Sequence, residues 1–184
     1  MMTTREQYMP GPAAGARIQS KEGEKWTLVL VRDLHHSPEK VWKAITDPAQ
    51  LREWAPYDAD RNLGVAGETV KLSTFGAPSP QVVETKVKRA EPPKVLEFDW
   101  GGGNLRWELA PNGDGTRLTL WANIDRNWVS MGAAGWHICL DVLDHLLDGD
   151  AIGRIAGIET MKFDGWKRLT REYGEQFGTK APSW

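Results

Sequence analysis

The chain has 184 residues, of which 26% are charged and 40% hydrophobic, with a formal net charge of -2. That length suits one domain with a substantial core, and the near-neutral balance excludes a general basic surface for nucleic acid or an anionic membrane. The single Cys139 excludes an internal disulfide framework and a cysteine-cluster metal site.

Residues 1–22 are rich in Gly, Ala, Pro and charge, show no period, and lack the apolar stretch of a signal peptide. They read as a flexible N-terminal tail, with the domain over 23–178 and a short tail at 179–184. The run WTLVLVR, 26–32, has the β-branched content of a buried strand. Next, HSPEKVWKAITDPAQLREWAP, 36–56, carries two helix starts, Ser37-Pro38 and Asp47-Pro48, each a capping side chain before a proline suited to the first helical position. Val41, Ala44 and Ile45 share a face of the first helix, and Leu51 and Trp54 of the second. Both helices are too short to be stable alone and must dock on something larger.

From Asn62 to Asp125 the pattern changes to strands: GETVKLSTF, PQVVETKVKRA, KVLEFDW, NLRWELA and TRLTLWANI, separated by the turn-forming GAPSP, EPP, GGG and PNGDG. Alternation sets Leu96, Phe98 and Trp100 against Glu97 and Asp99, and Leu105, Trp107 and Leu109 against Arg106 and Glu108. The sheet therefore has one wet face and one aromatic face. The rest is helical. In GWHICLDVLDHLLDG, starting at Gly135-Trp136, a stripe of Trp136, Leu140, Leu143 and Leu147 runs to a stop at Gly149, and FDGWKRLTREYGEQF repeats the stripe with Trp166, Leu169, Tyr173 and Phe177. Between them, GDAIGRIAGIE reads as a loop or broken helix. No apolar run approaches the roughly 20 residues of a membrane span, so a cytoplasmic protein is expected.

One strand, two short helices, five strands and terminal helices make an α+β chain: a single curved antiparallel sheet of about six strands wrapped around a long C-terminal helix. The two short helices meet at Thr46-Asp47-Pro48 as a V-shaped plug closing one end of the trough. The runs RDLHHSPEKVWKAITDPAQLREWAPYDA, VKRAEPPKVLEFDW, RWELAPNGDGTRLTL and MGAAGWHICLDVLDHLL resemble, in order, the heat-shock-protein-90 ATPase activator homologue family of the START-like (SRPBCC, birch-pollen-allergen-like) superfamily. The resemblance covers about residues 24–178 and implies a helix-grip fold. It implies no shared catalytic motif, since that superfamily includes carriers of hydrophobic molecules, polyketide cyclases and hydrolase-like enzymes.

Ten tryptophans point to rings that line a core or a pocket. Trp54, Phe98, Trp100, Trp107 and Trp136 come from plug, sheet and helix and converge on the trough. With Leu140 and Leu143 they are the expected ligand-binding residues for a small hydrophobic or aromatic molecule. Thr85 is the expected polar contact, and residues 126–132 and 149–159 are the expected gates. His137, Asp141 and His145 have a helical ligand spacing but lie opposite the stripe, so a solvated face is expected, and no metal or cofactor. His35-His36 reads as a plain loop, Cys139 as a core residue, and the glycine runs as hairpin turns. An enzyme such as a polyketide cyclase or dehydratase would need Glu84, Glu97, Asp99 or Arg106 to face inward. A chaperone-binding role would need an exposed patch of Trp128, Val129, Met131 and Trp184, without the separate N-terminal domain of the eukaryotic activators.

Overall fold

The computed structural model describes residues 5–79 and 81–179. A hairpin of β1 (Ala16–Ser20) and β2 (Lys25–Leu34) leads into α1 (Pro38–Thr46) and α2 (Pro48–Trp54). Seven strands follow: β3 (Tyr57–Ala59), β4 (Thr69–Thr74), β5 (Val82–Lys86), β6 (Arg89–Glu91), β7 (Val95–Trp100), β8 (Gly103–Asn112) and β9 (Gly115–Asp125). The chain then forms α3 (Val129–Leu147), the single turn α4 (Ile158–Met161) and α5 (Asp164–Phe177). This is the expected helix-grip arrangement, with α3 laid across the apolar face of a large antiparallel sheet. No helix among the described residues is long and apolar enough to cross a membrane.

The strands divide differently from the expected single sheet. Six form one antiparallel sheet in the order β1-β2-β9-β8-β7-β6, and three form a second in the order β3-β4-β5. The division falls inside PQVVETKVKRA, which changes partner between adjacent residues. The Val87 N–H still donates to the Glu68 carbonyl at 2.9 Å, whereas the Lys88 N–H donates to the Glu97 carbonyl of β7 at 2.9 Å. No Gly or Pro marks that corner, so residue pattern alone reads it as one strand.

The segment expected to be a tail is partly structured. Ala16–Ser20 is an edge strand, with Ile18 opposite Leu28 and Arg17 opposite Val29. Ahead of it, residues 8–14 lie along the terminal helices. The Arg168 guanidinium of α5 donates to the Pro10 and Gly11 carbonyls at 2.5 and 3.0 Å, and Tyr8 is buried. Short and broken by glycine and proline, this stretch carries no periodic signal; it is ordered by what it covers.

The helical corner matches its sequence. Ser37 Oγ accepts from the Lys40 N–H at 3.2 Å, and Asp47 Oδ1 accepts from the Ala49 N–H at 3.0 Å. The Asp47 N–H meanwhile donates back to the Lys43 carbonyl at 2.9 Å, so one residue ends α1 and begins α2. The Trp54 indole N–H donates to the Ala44 carbonyl at 2.9 Å, which closes the V from inside. Helix α3, by contrast, begins at Val129 rather than at Gly135. The low helix propensity of Gly132 and Gly135 is overridden by burial of Val129, Ala133, Ala134 and Trp136. Residues 129–132, expected as a gating loop, are its first turn.

Replacing the shared cap should weaken both helices. Asp47→Ala is expected to lower stability by about 1 kcal/mol, read as a lower urea midpoint with an unchanged slope; an unchanged midpoint would show that the plug holds without its cap.

Candidate functional site

Along α3 the side chains facing the sheet change in size. Toward its C-terminus Leu140, Leu143 and Leu147 are buried in the core. Toward its N-terminus stand Met131, Gly132, Gly135 and Cys139, and beside them lies a cavity of about 540 Å³. Its sheet wall is Trp100, Gly101, Leu105, Ala122 and Ile124. Ala156, Gly157, Thr160, Met161 and Trp166 close it on the other side. A Cβ built on Gly135 meets no atom within 4 Å, so glycine there leaves open space rather than relieving a clash.

Of the residues expected to bind a ligand, Trp100 and Trp136 line this cavity. Trp54, Phe98, Trp107, Leu140 and Leu143 come together as predicted from plug, sheet and helix, but they fill the trough instead of lining a space. A chain of ring contacts joins the two groups: Trp54 to Trp107 at 5.8 Å between centroids, Trp107 to Trp136 at 5.6 Å and Trp136 to Trp100 at 6.1 Å, all edge-to-face. Tyr57, buried beside Trp100 at 5.2 Å, has a hydroxyl with no hydrogen-bond partner among the described residues, and burial pushes its pKa upward. The lining residues missed by sequence reasoning are of two kinds, small ones such as Gly101, Ala122 and Gly135 and large ones such as Leu105, Ile124 and Trp166. The MGAAG run, 131–135, was the available signal for the small ones, since glycine on a packed helix face either leaves volume unfilled, as at Gly135, or lets the opposite surface approach, as Ile124 approaches Gly132.

Thr85, the expected polar contact, is buried on β5 of the smaller sheet and is not a lining residue. Of the polar lining residues Lys25, Asn123, Asp125 and Thr160, Thr160 is the buried one, 5% exposed. The wall segment is fixed by backbone contact. Gly157, at φ 61°, lies so close to Gly76 that a Cβ would come within 2.6 Å of the Gly76 Cα. Arg154, three residues earlier, pairs with Asp58 at 2.6 Å and lies over the Phe75 ring at 3.6 Å. Of the two expected gates, then, 149–159 contributes Ala156 and Gly157 to the wall.

Glu84, Glu97, Asp99 and Arg106 do not line the cavity. Glu97 accepts from the Asn104 side chain, Asp99 pairs with Lys88 and Arg106 with Glu108. The ionisable lining groups are Lys25, Asp125 and Cys139. Burial pushes the Cys139 thiol up to about 12, so it is protonated and a poor nucleophile at neutral pH.

The face of α3 expected to be solvated is covered by α5 and the N-terminal segment. His137 is 5% exposed and shares a hydrogen bond with the Tyr173 hydroxyl at 2.6 Å. The Asp141 carboxylate accepts from the Arg32 guanidinium at 2.5 Å and from the Tyr8 hydroxyl at 2.5 Å. His145 pairs with Asp150 at 3.2 Å. Nor is His36 a plain loop residue: its Nε2 lies 2.7 Å from Asp148 Oδ1, tying the start of α1 to the end of α3. His36, Asp144 and Asp148 bring three ligand atoms within 4.8 Å of one another, with the Lys40 ammonium 3.4 Å from His36 Nδ1. Of the patch suggested for a protein partner, Trp128 is 59% exposed, Val129 is buried, Met131 is half-buried, and Trp184 lies outside the described residues.

The family described as "Activator of Hsp90 ATPase homolog 1-like protein" matches residues 35–148. The chain belongs to that family. No curated protein matches it. Among solved structures, a conserved protein of unknown function from Enterococcus faecalis superposes with a TM-score of 0.67 at 18% identity, covering 88% of this chain and 89% of its own. CalU16 from Micromonospora echinospora gives 0.61 at 22% identity, covering 92% and 96%. A Mesorhizobium loti protein gives 0.57 at 26% identity, covering 67% and 97%. These likenesses establish a shared fold.

Two outcomes follow from the buried groups. Native Cys139 should resist alkylation by iodoacetamide at about pH 8 and react at the ordinary thiol rate once the protein is unfolded in guanidinium; prompt native labelling would show that the thiol is not held protonated. Burial also lowers the His137 pKa below its usual value. Below about pH 6.5 the unfolded chain takes up that proton first, so stability present above that pH is lost as pH falls through the folded value. Urea midpoints measured from about pH 8 down to about pH 5 should therefore fall less steeply in His137→Gln than in the wild type, and parallel slopes would exclude His137 as the source.

Proposed function

We propose that the protein binds a small, mostly apolar or aromatic molecule in the cavity between the N-terminal half of α3 and the sheet. The observation that carries this reading is a wall of Trp100, Trp136, Trp166, Leu105, Ile124 and Met131 around about 540 Å³ of space, which is in the size range of small-molecule sites. The aromatic rings offer flat apolar surface, and methionine thioethers adapt to the outline of a guest. Thr160 supplies a hydroxyl to orient it. Trp128 and Met161 both line the cavity and are more than half exposed, so they form its rim and the ligand enters between them. The helix-grip scaffold, shared with the solved structures above, supports the reading by supplying the trough.

Gly135→Leu tests it, because the new side chain projects into open space while removing a helical glycine gains roughly 0.5–1 kcal/mol. Titrated with the neutral fluorophore N-phenylnaphthylamine, the wild type should show saturable emission enhancement and a raised melting temperature. The variant should bind at least about tenfold more weakly, a change of about 1.4 kcal/mol, while melting no lower than the unliganded wild type. Equal affinity in both would place the probe elsewhere and remove the cavity from consideration.

A further inference from the structure

Resting on the cavity reading above, we propose that the ligand is an amphipathic anion, with an aromatic body inside against Trp100 and Trp136 and a carboxylate, sulfonate or similar group at the mouth held by Lys25. Lys25 is the one cationic side chain among the described residues that line the cavity. It begins β2 directly opposite Asp125 at the end of β9. Its ammonium stands over the β7–β8 turn, where a Cβ on Gly102 would come within 3.4 Å of Nζ; the adjoining Gly101 and Trp100 are cavity wall.

Two cations near the cavity are committed. Arg154 pairs with Asp58, and Lys162 with Glu159. Lys25 makes no salt bridge to any described residue. Asp125, the one carboxylate in the lining, accepts a hydrogen bond from the Asn127 N–H at 2.8 Å and so is engaged with its own turn. The first turn of α3, which also borders the cavity, contains no acidic side chain. The lining therefore carries one ammonium and one carboxylate, and of the two it is the ammonium that has no ion-pair or hydrogen-bond partner among the described residues.

Orientation follows from solvation. An ionised group cannot enter the Trp- and Leu-lined interior without losing its water, whereas the apolar body gains by burial. A charged guest is thus held apolar end first, and an uncommitted ammonium at the exit favours a negative tail over a positive one. Because Lys25 is exposed, the attraction is screened by salt and acts more on which ligand is chosen than on total affinity.

Anilinonaphthalene sulfonate and N-phenylnaphthylamine share one aromatic skeleton and differ by the sulfonate, so together they isolate the charge. Lys25→Met, which keeps the apolar stem, should weaken sulfonate binding roughly threefold to tenfold and leave the neutral probe within about twofold. Asp125→Asn should strengthen the sulfonate. Raising salt from about 20 to about 500 mM should reduce wild-type affinity for the sulfonate alone, and the neutral probe should displace it competitively. If the neutral probe binds but Lys25→Met changes both probes equally or neither, or if displacement fails, the anion assignment is wrong while the cavity reading stands. If the neutral probe does not bind the wild type, both are wrong.

Discussion

The Arg32–Asp141 ion pair holds the rest of the architecture in register. It joins the second strand of the large sheet to the middle of α3, at 2.5 Å, and the same carboxylate receives the Tyr8 hydroxyl from the N-terminal segment. One turn earlier along α3, His137 is locked to Tyr173 of α5, whose hydroxyl also donates to the Ala14 carbonyl at 3.0 Å. A helix anchored on its polar side and filled by Leu140, Leu143 and Leu147 on the other cannot tilt down onto the sheet. This matters because apolar space left by small side chains tends to be removed by collapse of its surroundings. Gly132 and Gly135 can stand over a cavity because the helix that carries them is fixed elsewhere. The polar face that looks like mere solvated surface in the sequence is thus the condition for the pocket on the opposite side.

How much of this was written in the chain differs by element. The V of α1 and α2 was fully legible, because capping is a local contact between residues two or three positions apart. Alternation in β7 and β8 was equally plain, and Leu96, Phe98, Leu105, Trp107 and Leu109 are all buried as it requires. What escaped was decided by distant partners. The corner at Val87–Lys88 depends on which strand lies alongside; the order in residues 8–20 depends on α5 and β2; the burial of His137 depends on a helix 36 positions later. The cavity lining was hard to read from the chain for a related reason. Large side chains advertise a trough, but the space within it is made by the residues that fail to fill it, and glycine on a helix reads as a weakness of the helix.

The division of the trough into a filled half and an empty half also bears on what the fold can do. A helix-grip domain can tune its ligand by changing side-chain size along one helix while its sheet, plug and polar anchor stay as they are. Here the plug end is closed by Trp54 and Trp107, and the opening lies at the other end, where the wall formed by Ala156 to Met161 rests on Gly76 through bare backbone. No side chain mediates that contact, so the wall is placed by chain geometry.

The file of edge-to-face indoles has an optical consequence. Trp54 and Trp107 are sealed in the core, yet each is within 6 Å of the next ring along the line to Trp136, and Trp136 is 6.1 Å from Trp100. At these separations excitation absorbed by one indole can pass to the next before it is emitted. A guest touching only Trp100 and Trp136 would then darken indoles that it never meets, and the depth of quenching would count the rings in the relay rather than the rings in contact.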